Sequence, residues 1–341
     1  GNQDFSQIPP KPDVEPEDQL GRMLVLMREI VDMTKIRRNG TPQDAGNLFG
    51  AIEFYKGCKD AGIRGIVGQT TFVAAKTRRT TAGGDNPTFD LTLLAENNEG
   101  LDNLRTLSSL AYLEGFSYRP RVDMELLAQH SKGLICLSGS THGWIGQCLQ
   151  QNDGAAAVAA AGQLRDLFGA DRFFLEVGEN GSEVMRTVTA GKREVSKRTG
   201  IPCVATNDVH YVDASDNVAH DAMLCIQTGA RLADERRMKY TAQEFYLKTE
   251  AEMRRVFSEV PQAITNTVDI AEMCDVQLPV GKNHYPVYIF SEGVKPKVEK
   301  KTDAILDGYE KLKNGLLVAA GKKGDFAIAE DTRKGMRANG S

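Results

Sequence analysis

Short apolar runs alternate with helical patterns between residues 133 and 207, and this alternation restricts the fold more than any other feature of the sequence. The apolar runs predict strands at 133–137, 172–177 and 201–207. The patterns between them predict helices at 153–168 and 183–198. Strands that alternate with helices pair in parallel through right-handed crossovers. The sequence therefore predicts an α/β fold, while its periodicity alone allows either a closed barrel or an open doubly wound sheet.

Further elements are predicted on both sides of this alternating region. Before it come helices at 17–37, 48–58 and 100–113, a strand at 89–95, and a Gly- and Thr-rich loop at 77–87. After it come helices at 216–228, 250–260, 262–274 and 302–319, and then a polar tail. The chain thus has an α/β part followed by a mostly helical part.

Bulk composition excludes several classes of protein. The 341 residues are 41% hydrophobic with a net charge of −4, so the chain as a whole has no electrostatic reason to hold nucleic acid. Its six cysteines form no C-x-x-C pair, which favours reduced thiols. The sequence has neither a signal-peptide pattern nor an apolar run of about 18 residues. We therefore expect a cytoplasmic protein without a membrane segment.

Two polar side chains follow the predicted strand at 201–207. Asp208 and His210 are two residues apart, so on an extended chain their side chains share one face. In a barrel of parallel strands this end of the strand faces the active-site mouth. A carboxylate and an imidazole suit a divalent metal or an acid/base pair. The alternative is a buried pair, in which Asp208 accepts hydrogen bonds from His210 or from loop amides and holds the mouth closed.

Several ungapped blocks of the sequence resemble one family. Asn-Leu-Phe-Gly at 47–50 and Ala-Thr-Asn-Asp-Val-His-Tyr at 205–211 belong to blocks that occur in the family's order, at 46–55, 107–116, 205–211, 219–221, 225–229, 244–248 and 278–282. They resemble the PHP (polymerase and histidinol phosphatase) domain of bacterial DNA polymerase III alpha subunits and the linker after it. The resemblance covers roughly residues 41–290.

The resemblance implies a domain organisation. A PHP-type distorted (β/α)₇ barrel is expected at 41–212, and a helical segment that leads toward the polymerase palm at 213–290. A Lys-rich helix and a flexible tail occupy 291–341. The palm itself is not visible, so the chain looks like a fragment or a free-standing copy. Residues 1–40 match no block of the family, and natural divergence, a replaced or engineered stretch and a mistaken start all remain open.

Active PHP domains hold several divalent metals in the barrel mouth, and few of the family's ligands occur in this sequence. The His-x-His motif has no counterpart, because no histidine precedes His130. Ala45, Thr70, Ser140 and Asn180 stand where the family has His, Glu, Cys and His. Hydroxyl, methyl and amide groups are poor substitutes for thiolate, carboxylate and imidazole ligands.

The resemblance therefore leaves a remnant metal site of Asp208, His210 and Asp44, with no catalytic residue assigned. Glu176, on the predicted strand at 172–177, and His142, in the loop after 133–137, are further candidates. The competing interpretation of His142 is a solvent-facing loop residue. We expect no cofactor; if one binds, it is a divalent metal such as Zn, Mn or Mg.

Two other groups of polar residues are candidates outside the family motifs. His220 and Asp221 lie on a predicted helix, where we expect a surface or interface pair rather than metal ligands. Arg78 and Arg79 are followed by two threonines, which suggests a phosphate contact. A solvated loop is the favoured interpretation of this arginine pair.

The resemblance supports two functions of different classes. The first is the PHP region of a replicative DNA polymerase III alpha-type protein with a dismantled hydrolase site, which supports the polymerase body and docks partners such as a proofreading exonuclease subunit. Full-length relatives are DNA-directed DNA polymerases, and DNA would be held only by domains that this sequence lacks. The alternative is a metal-dependent phosphoesterase or 3′–5′ exonuclease, which needs a complete cluster of metal ligands.

Overall fold

The computed structural model describes residues 46–60, 62, 64–240, 242–278, 306–307 and 309–311. The chain divides into two compact units, Gly1–Leu278 and Pro279–Ser341, and the few described residues of the second unit are helical. Asp44, Ala45, the predicted helix at 17–37 and most of 291–341 lie outside the described residues. The domain boundary expected between residues 212 and 213 stays a prediction.

Among the described residues, the sheet has six strands in the order β3-β1-β2-β4-β5-β6. In chain order they are β1 (Gly68–Ala74), β2 (Thr88–Ala95), β3 (Arg121–Val122), β4 (Leu134–Leu137), β5 (Phe173–Gly178) and β6 (Cys203–Thr206). β4, β5 and β6 pair in parallel, which confirms the prediction for the alternating region. β2 runs antiparallel to both β1 and β4. Only a loop connects β1 to β2, and a loop suffices to join antiparallel strands.

Helices flank this sheet. They are α1 (Ala51–Asp60), α2 (Asn98–Glu114), α3 (Met124–Gln129), α4 (Trp144–Gln150), α5 (Gly154–Phe168), α6 (Glu183–Thr199), α7 (Asn217–Thr228), α8 (Glu250–Val256) and α9 (Pro261–Met273). The mixed α/β architecture confirms the predicted fold class and agrees with a PHP-type barrel. Barrel closure is not seen among the described strands, whose edges are β3 and β6.

Local capping explains where the predicted helices begin. The side chains of Asn97, Asp153 and Ser182 accept hydrogen bonds from backbone N–H groups in the first turns of α2, α5 and α6. Such caps satisfy donors that have no partner inside the helix. Gly200 ends α6 in the left-handed conformation, where glycine has no steric cost. The short helix α4 was not predicted, because its seven residues carry too little periodicity.

Side chains of the central strands alternate between two apolar layers. On β4, Leu134 and Cys136 join a core cluster with α2 and α5, whereas Ile135 and Leu137 join a second cluster on the other face. α9 covers that second face with Ile270 and related side chains. The sheet is therefore buried on both faces, as the continuous apolar runs of its strands predict.

The face covered by α9 changes character along its strands. On β5, Phe174 is in the apolar layer, and Glu176, two residues further along, is a buried carboxylate. On β6, Val204 is apolar and Thr206 is polar. Because side chains two residues apart lie on the same face of a strand, the apolar layer gives way to polar side chains toward the carboxyl ends of these strands. The candidate site lies at this polar end.

Arg78 corrects one expectation from the sequence. Its side chain is 5% exposed, and its guanidinium contacts Asp123 at 2.8 Å and Glu114 at 2.7 Å. The backbone N–H of Arg78 also donates to Asp123, at 2.9 Å. The solvated-loop interpretation is therefore wrong for Arg78, although Arg79 keeps a side chain that is 64% exposed. The loop between β1 and β2 is fixed by a buried ionic cluster.

Two predictions from composition concern the cysteines and membrane-spanning helices. All six cysteines lie in the described part of the chain, and none of them is in a disulfide. Within the same residues, no helix is both long enough and apolar enough to span a lipid bilayer.

Candidate functional site

A cleft of about 860 Å³ lies at the polar end of the sheet. Its walls come from β1 and β2, from the loops after β4, β5 and β6, from the start of α6, from α7, and from residues 238–240, 242 and 245. Clefts of this size accommodate small-molecule ligands. The position agrees with the expectation that polar residues at the carboxyl ends of the parallel strands converge.

Five residues that the resemblance to PHP motifs singled out lie around this one cleft. They are Thr70, Ser140, Asn180, Asp208 and His210. They are separated by up to 140 positions in the sequence, and the strand topology brings them together. The structure thus brings together five residues that are distant in sequence, and three of them, Thr70, Ser140 and Asn180, carry a hydroxyl or an amide.

Asp208 and His210 contact each other. His210 Nε2 lies 3.3 Å from Asp208 Oδ1, and the side chains are 20% and 23% exposed. The pair is therefore half-buried, with a face toward the cleft, rather than enclosed in the core. His142 also lines the cleft, on an exposed loop after β4.

Glu176 lies beneath the cleft rather than in its wall. Its side chain is almost fully buried, and its Oε1 accepts a hydrogen bond of 2.9 Å from Thr206 Oγ1. The neighbouring Lys192 on α6 is also buried, and its Nζ donates to backbone carbonyls of the cleft floor. Lys192 was missed in the sequence, although it continues the buried stripe of Met185, Val188 and Val195 on this helix. A charged residue in such a stripe signals a buried partner.

A cluster of five rings packs beside the Asp208–His210 pair. Its members are His210, Tyr211, His220, Tyr240 and Phe245, and neighbouring ring centroids lie 4.7–5.4 Å apart. These distances are typical of favourable aromatic contacts. The cluster joins the end of β6 to α7 and to the segment before α8, so it holds one wall of the cleft in place.

His220 and Asp221 do not form a solvated surface pair, because each contacts a different partner within the fold, and an interface role for them stays a prediction. His220 belongs to the ring cluster, and Asp221 accepts two hydrogen bonds from Arg237, at 2.5 and 2.6 Å. The Arg237 side chain is 5% exposed, and its hydrogen bond lowers the pKa of Asp221. The two adjacent residues therefore fix α7 through different partners, which sequence spacing does not reveal.

His220 is expected to titrate below its ordinary pKa of 6.5. Burial lowers the pKa of His220 first, and the nearby His210 lowers it further, while Asp221 opposes the shift. The unfolded chain then binds this proton more readily than the folded chain, so stability should fall as the pH falls through about 6.5. NMR titration of the ring protons measures the pKa, and a midpoint at or above 6.5 would contradict the expectation. In a His220→Phe variant, the decline in stability between pH 7.5 and 5.5 should be smaller.

The donors around the cleft do not fit a multinuclear metal centre. Nowhere in the described ranges do three or more His, Cys, Asp or Glu side chains form a group that could hold a metal ion. Thr70, Ser140 and Asn180 offer neutral oxygens, and His210 is engaged with Asp208. A centre that activates water for hydrolysis needs several strong ligands for each metal and an open position.

Comparison with known families agrees with this fold. Residues 43–180 match the model of the PHP domain. The matched stretch includes β1 to β5 and three of the five residues that surround the cleft. The chain therefore contains a PHP domain.

Similar proteins identify the branch of PHP proteins more closely. The chain is 42% identical over 247 residues to the DNA polymerase III subunit alpha of Treponema pallidum, covering 72% of this chain and 21% of that protein. It is 40% identical to the subunit of Thermus aquaticus, with 74% and 22% covered, and 37% identical to that of Borreliella burgdorferi, with 84% and 26% covered. The chain is thus a homologue of DNA polymerase III alpha subunits over their PHP region, and it spans about a fifth to a quarter of their length.

Proposed function

We propose that this chain acts in DNA replication as the PHP region of a DNA polymerase III alpha-type protein, as a structural and docking module without hydrolase activity. The observation that carries the proposal is the cleft itself. It brings Thr70, Ser140 and Asn180 together with Asp208 and His210, and the resemblance implies that the first three stand where the family has metal ligands. Selection for hydrolysis would retain those ligands, whereas a structural role requires only that the cleft pack well.

Exposed apolar side chains support the docking part of the proposal. Phe49, Tyr112 and Phe116 form a chain of ring contacts, at 6.5 and 5.9 Å, and each ring is 38–67% exposed. Leu113 beside them is 80% exposed. Contiguous apolar surface of this kind marks interaction sites on soluble proteins. Other domains or subunits of the replicative polymerase, including a proofreading exonuclease subunit, are the partners that we propose.

The proposal is tested by an assay of hydrolysis. The chain is incubated with Mn²⁺ or Zn²⁺ and either a fluorescent single-stranded oligonucleotide or a chromogenic phosphomonoester. We expect no more product than from the Asp208→Ala/His210→Ala double variant. Metal-dependent release that the double variant lacks would instead establish the alternative, a phosphoesterase or 3′–5′ exonuclease. Primer extension on the same samples should give no product.

The docking part is tested on the same protein preparations. Leu113→Asp and Phe116→Asp place charges in the exposed apolar surface without removing buried contacts. They should weaken binding to a purified polymerase body or exonuclease subunit at least tenfold, measured by surface plasmon resonance, because charge in the centre of an interface is strongly unfavourable. Val218→Asp on α7, which is 75% exposed, is the matched control. Equal binding by all four proteins would exclude this surface as the docking site.

A further inference from the structure

Lys192 is a buried cation that the proposed function does not use. It lies on α6 with a side chain that is almost completely inaccessible to solvent. Its Nζ donates to the carbonyl oxygens of Gly139 at 2.6 Å, Glu176 at 2.8 Å and Ser140 at 3.2 Å. Three acceptors match the three N–H donors that only the protonated amine possesses. The contacts therefore describe an ammonium ion held by a set of backbone carbonyls.

Such a set of carbonyl oxygens has the chemistry of a monovalent cation site. Carbonyl dipoles replace the hydration shell of K⁺ in channels, and ammonium is similar to K⁺ in size and charge. Burying a cation is costly unless it is fully hydrogen-bonded, and this one satisfies all of its donors. The site is built from residues that are far apart in sequence, with Gly139 and Ser140 following β4 and Glu176 lying on β5.

The place of this ammonium in the fold is directly under the cleft. Gly139 and Ser140 line the cleft, and their carbonyls are held from below by Lys192. Gly139 has φ +72°, and a Cβ there would lie 2.3 Å from the carbonyl oxygen of Asp90, so this turn accepts only glycine. Ser138 next to it accepts a hydrogen bond from the backbone N–H of Glu176. A cation at this point fixes the relative positions of the loop after β4, β5 and α6.

We propose that the carbonyls of Gly139, Ser140 and Glu176 form a monovalent cation site whose resident ion is the ammonium of Lys192. If the lysine side chain is truncated, the site takes up an ammonium ion, a small primary ammonium or K⁺ from solution. The Lys192 ammonium supplies positive charge beneath a cleft that holds no metal under the proposed function, and in this one respect the inference rests on that function. It concerns monovalent ions and is independent of any divalent metal in the cleft.

The test is ion-specific rescue of a Lys192→Ala variant of the full chain. In sodium chloride we expect its melting temperature to lie roughly 5–10 °C below that of the unmodified protein, because the buried carbonyls lose their donors. At constant ionic strength, ammonium, methylammonium or K⁺ should restore at least half of this loss, and tetramethylammonium should restore none. The unmodified protein should melt at the same temperature in all of these salts.

Two further variants separate the site from general salt effects. Lys192→Met keeps the volume of the stem, so it should be destabilised without any rescue, because its methyl group fills the ion's position. Lys197→Ala on the same helix removes a lysine that is 73% exposed and should behave as the unmodified protein. An equal response of Lys192→Ala to every salt, or a Lys192→Met variant as stable as the original, would overturn the proposal.

A measurement on the unmodified chain guards against a variant that does not fold. With ¹⁵N-labelled lysine, Lys192 should give a slowly exchanging NH₃⁺ cross-peak in a heteronuclear NMR spectrum, and the Lys192→Met spectrum assigns it. Absence of that cross-peak would also refute the sequestered ammonium. The hydrolysis assay is read separately, so divalent-metal-dependent turnover refutes the proposed function, while loss of ion rescue refutes only the cation site.

Discussion

Replacing Arg78 by Met should remove about 3–5 kcal/mol from the free energy of unfolding, which is the cost of breaking a buried ion pair. The guanidinium donates to Asp123 at 2.8 Å and, through Nε and Nη2, to Glu114 at 2.9 and 2.7 Å. The Arg78 carbonyl also accepts from Arg121 Nη2 at 3.1 Å. Methionine preserves most of the side-chain volume. The decrease in the free energy of unfolding therefore comes mainly from removing the positive charge that balances Asp123. Urea unfolding followed by circular dichroism measures it.

Arg79, the neighbour of Arg78 in the sequence, provides the control for this prediction. Arg79→Met removes the same charge from a side chain that is 64% exposed, 3.6 Å from Glu114. Exposed pairs of this kind contribute about 0–1 kcal/mol, so the control should unfold almost as the original protein does. Equal effects of the two substitutions would show that Arg78 has no special role. A loss below about 1 kcal/mol for Arg78→Met would refute the buried cluster.

Acid should weaken the same cluster. Burial on its own raises the pKa of Asp123, but hydrogen bonds from the backbone of Arg78 and Leu126 and from the Arg78 guanidinium lower it below 3.8. A carboxyl whose folded pKa is depressed contributes stability at pH values above its unfolded pKa and loses it as the pH falls through the folded pKa. The difference in stability between the original protein and Arg78→Met should therefore shrink below about pH 4.

This cluster shows where prediction from sequence ends. The strands β4 to β6 and the helices α5 and α6 follow from local periodicity and caps, which act over a few residues. Arg78, in contrast, is buried because Glu114 and Asp123, 36 and 45 positions away, supply its partners. No local pattern contains that information, so a loop rich in Gly and Thr is interpreted as solvated.

The candidate site, too, could be predicted from the sequence only in part. The rule that the carboxyl ends of parallel strands face the active-site mouth predicted the position of Asp208 and His210. The places of Thr70, Ser140 and Asn180 were implied only by the resemblance to the PHP family. Other parts of the site depend on tertiary contacts. The ring cluster arises because α7 packs against the end of β6, and the burial of the cation beneath the cleft needs the loop after β4 and β5 together. Lys192 was missed, although it continues the buried stripe of α6, and no spacing along that helix reveals its acceptors.

Restoring the lost ligands should turn the cleft into a zinc site. In a triple variant, Thr70→Glu, Ser140→Cys and Asn180→His, the new carboxylate, thiolate and imidazole join Asp208 and His210 around one cleft. These are the donor types that Zn²⁺ selects. At a free zinc concentration about 1,000 times the dissociation constant, binding to the folded state alone would add about 4 kcal/mol, or roughly 10 °C in melting temperature.

The three substitutions lower the stability of the metal-free protein, and the stabilisation by bound zinc must exceed this loss. Asn180 Oδ1 accepts from the backbone N–H of Ser182 at 3.2 Å, and the loss of this bond should destabilise the metal-free variant by about 1 kcal/mol. Melting curves with and without zinc, together with metal content by mass spectrometry, separate the cost from the gain. The matched control adds Asp208→Ala and His210→Ala to the triple variant and should lose most of the zinc-induced rise.

The three possible results bear differently on the proposal that the cleft holds no metal. A rise confined to the triple variant means that the backbone still holds the geometry of a metal site and that side-chain identity alone removed the ion. An equal rise in the original protein would mean that Asp208 and His210, with other donors, still bind zinc, which would contradict the proposed loss of hydrolase chemistry. No rise in either protein would mean that the strand ends have moved apart, because five strong donors on one rim otherwise bind Zn²⁺. We expect the first result, since Thr70, Ser140 and Asn180 still lie around the same cleft as Asp208 and His210.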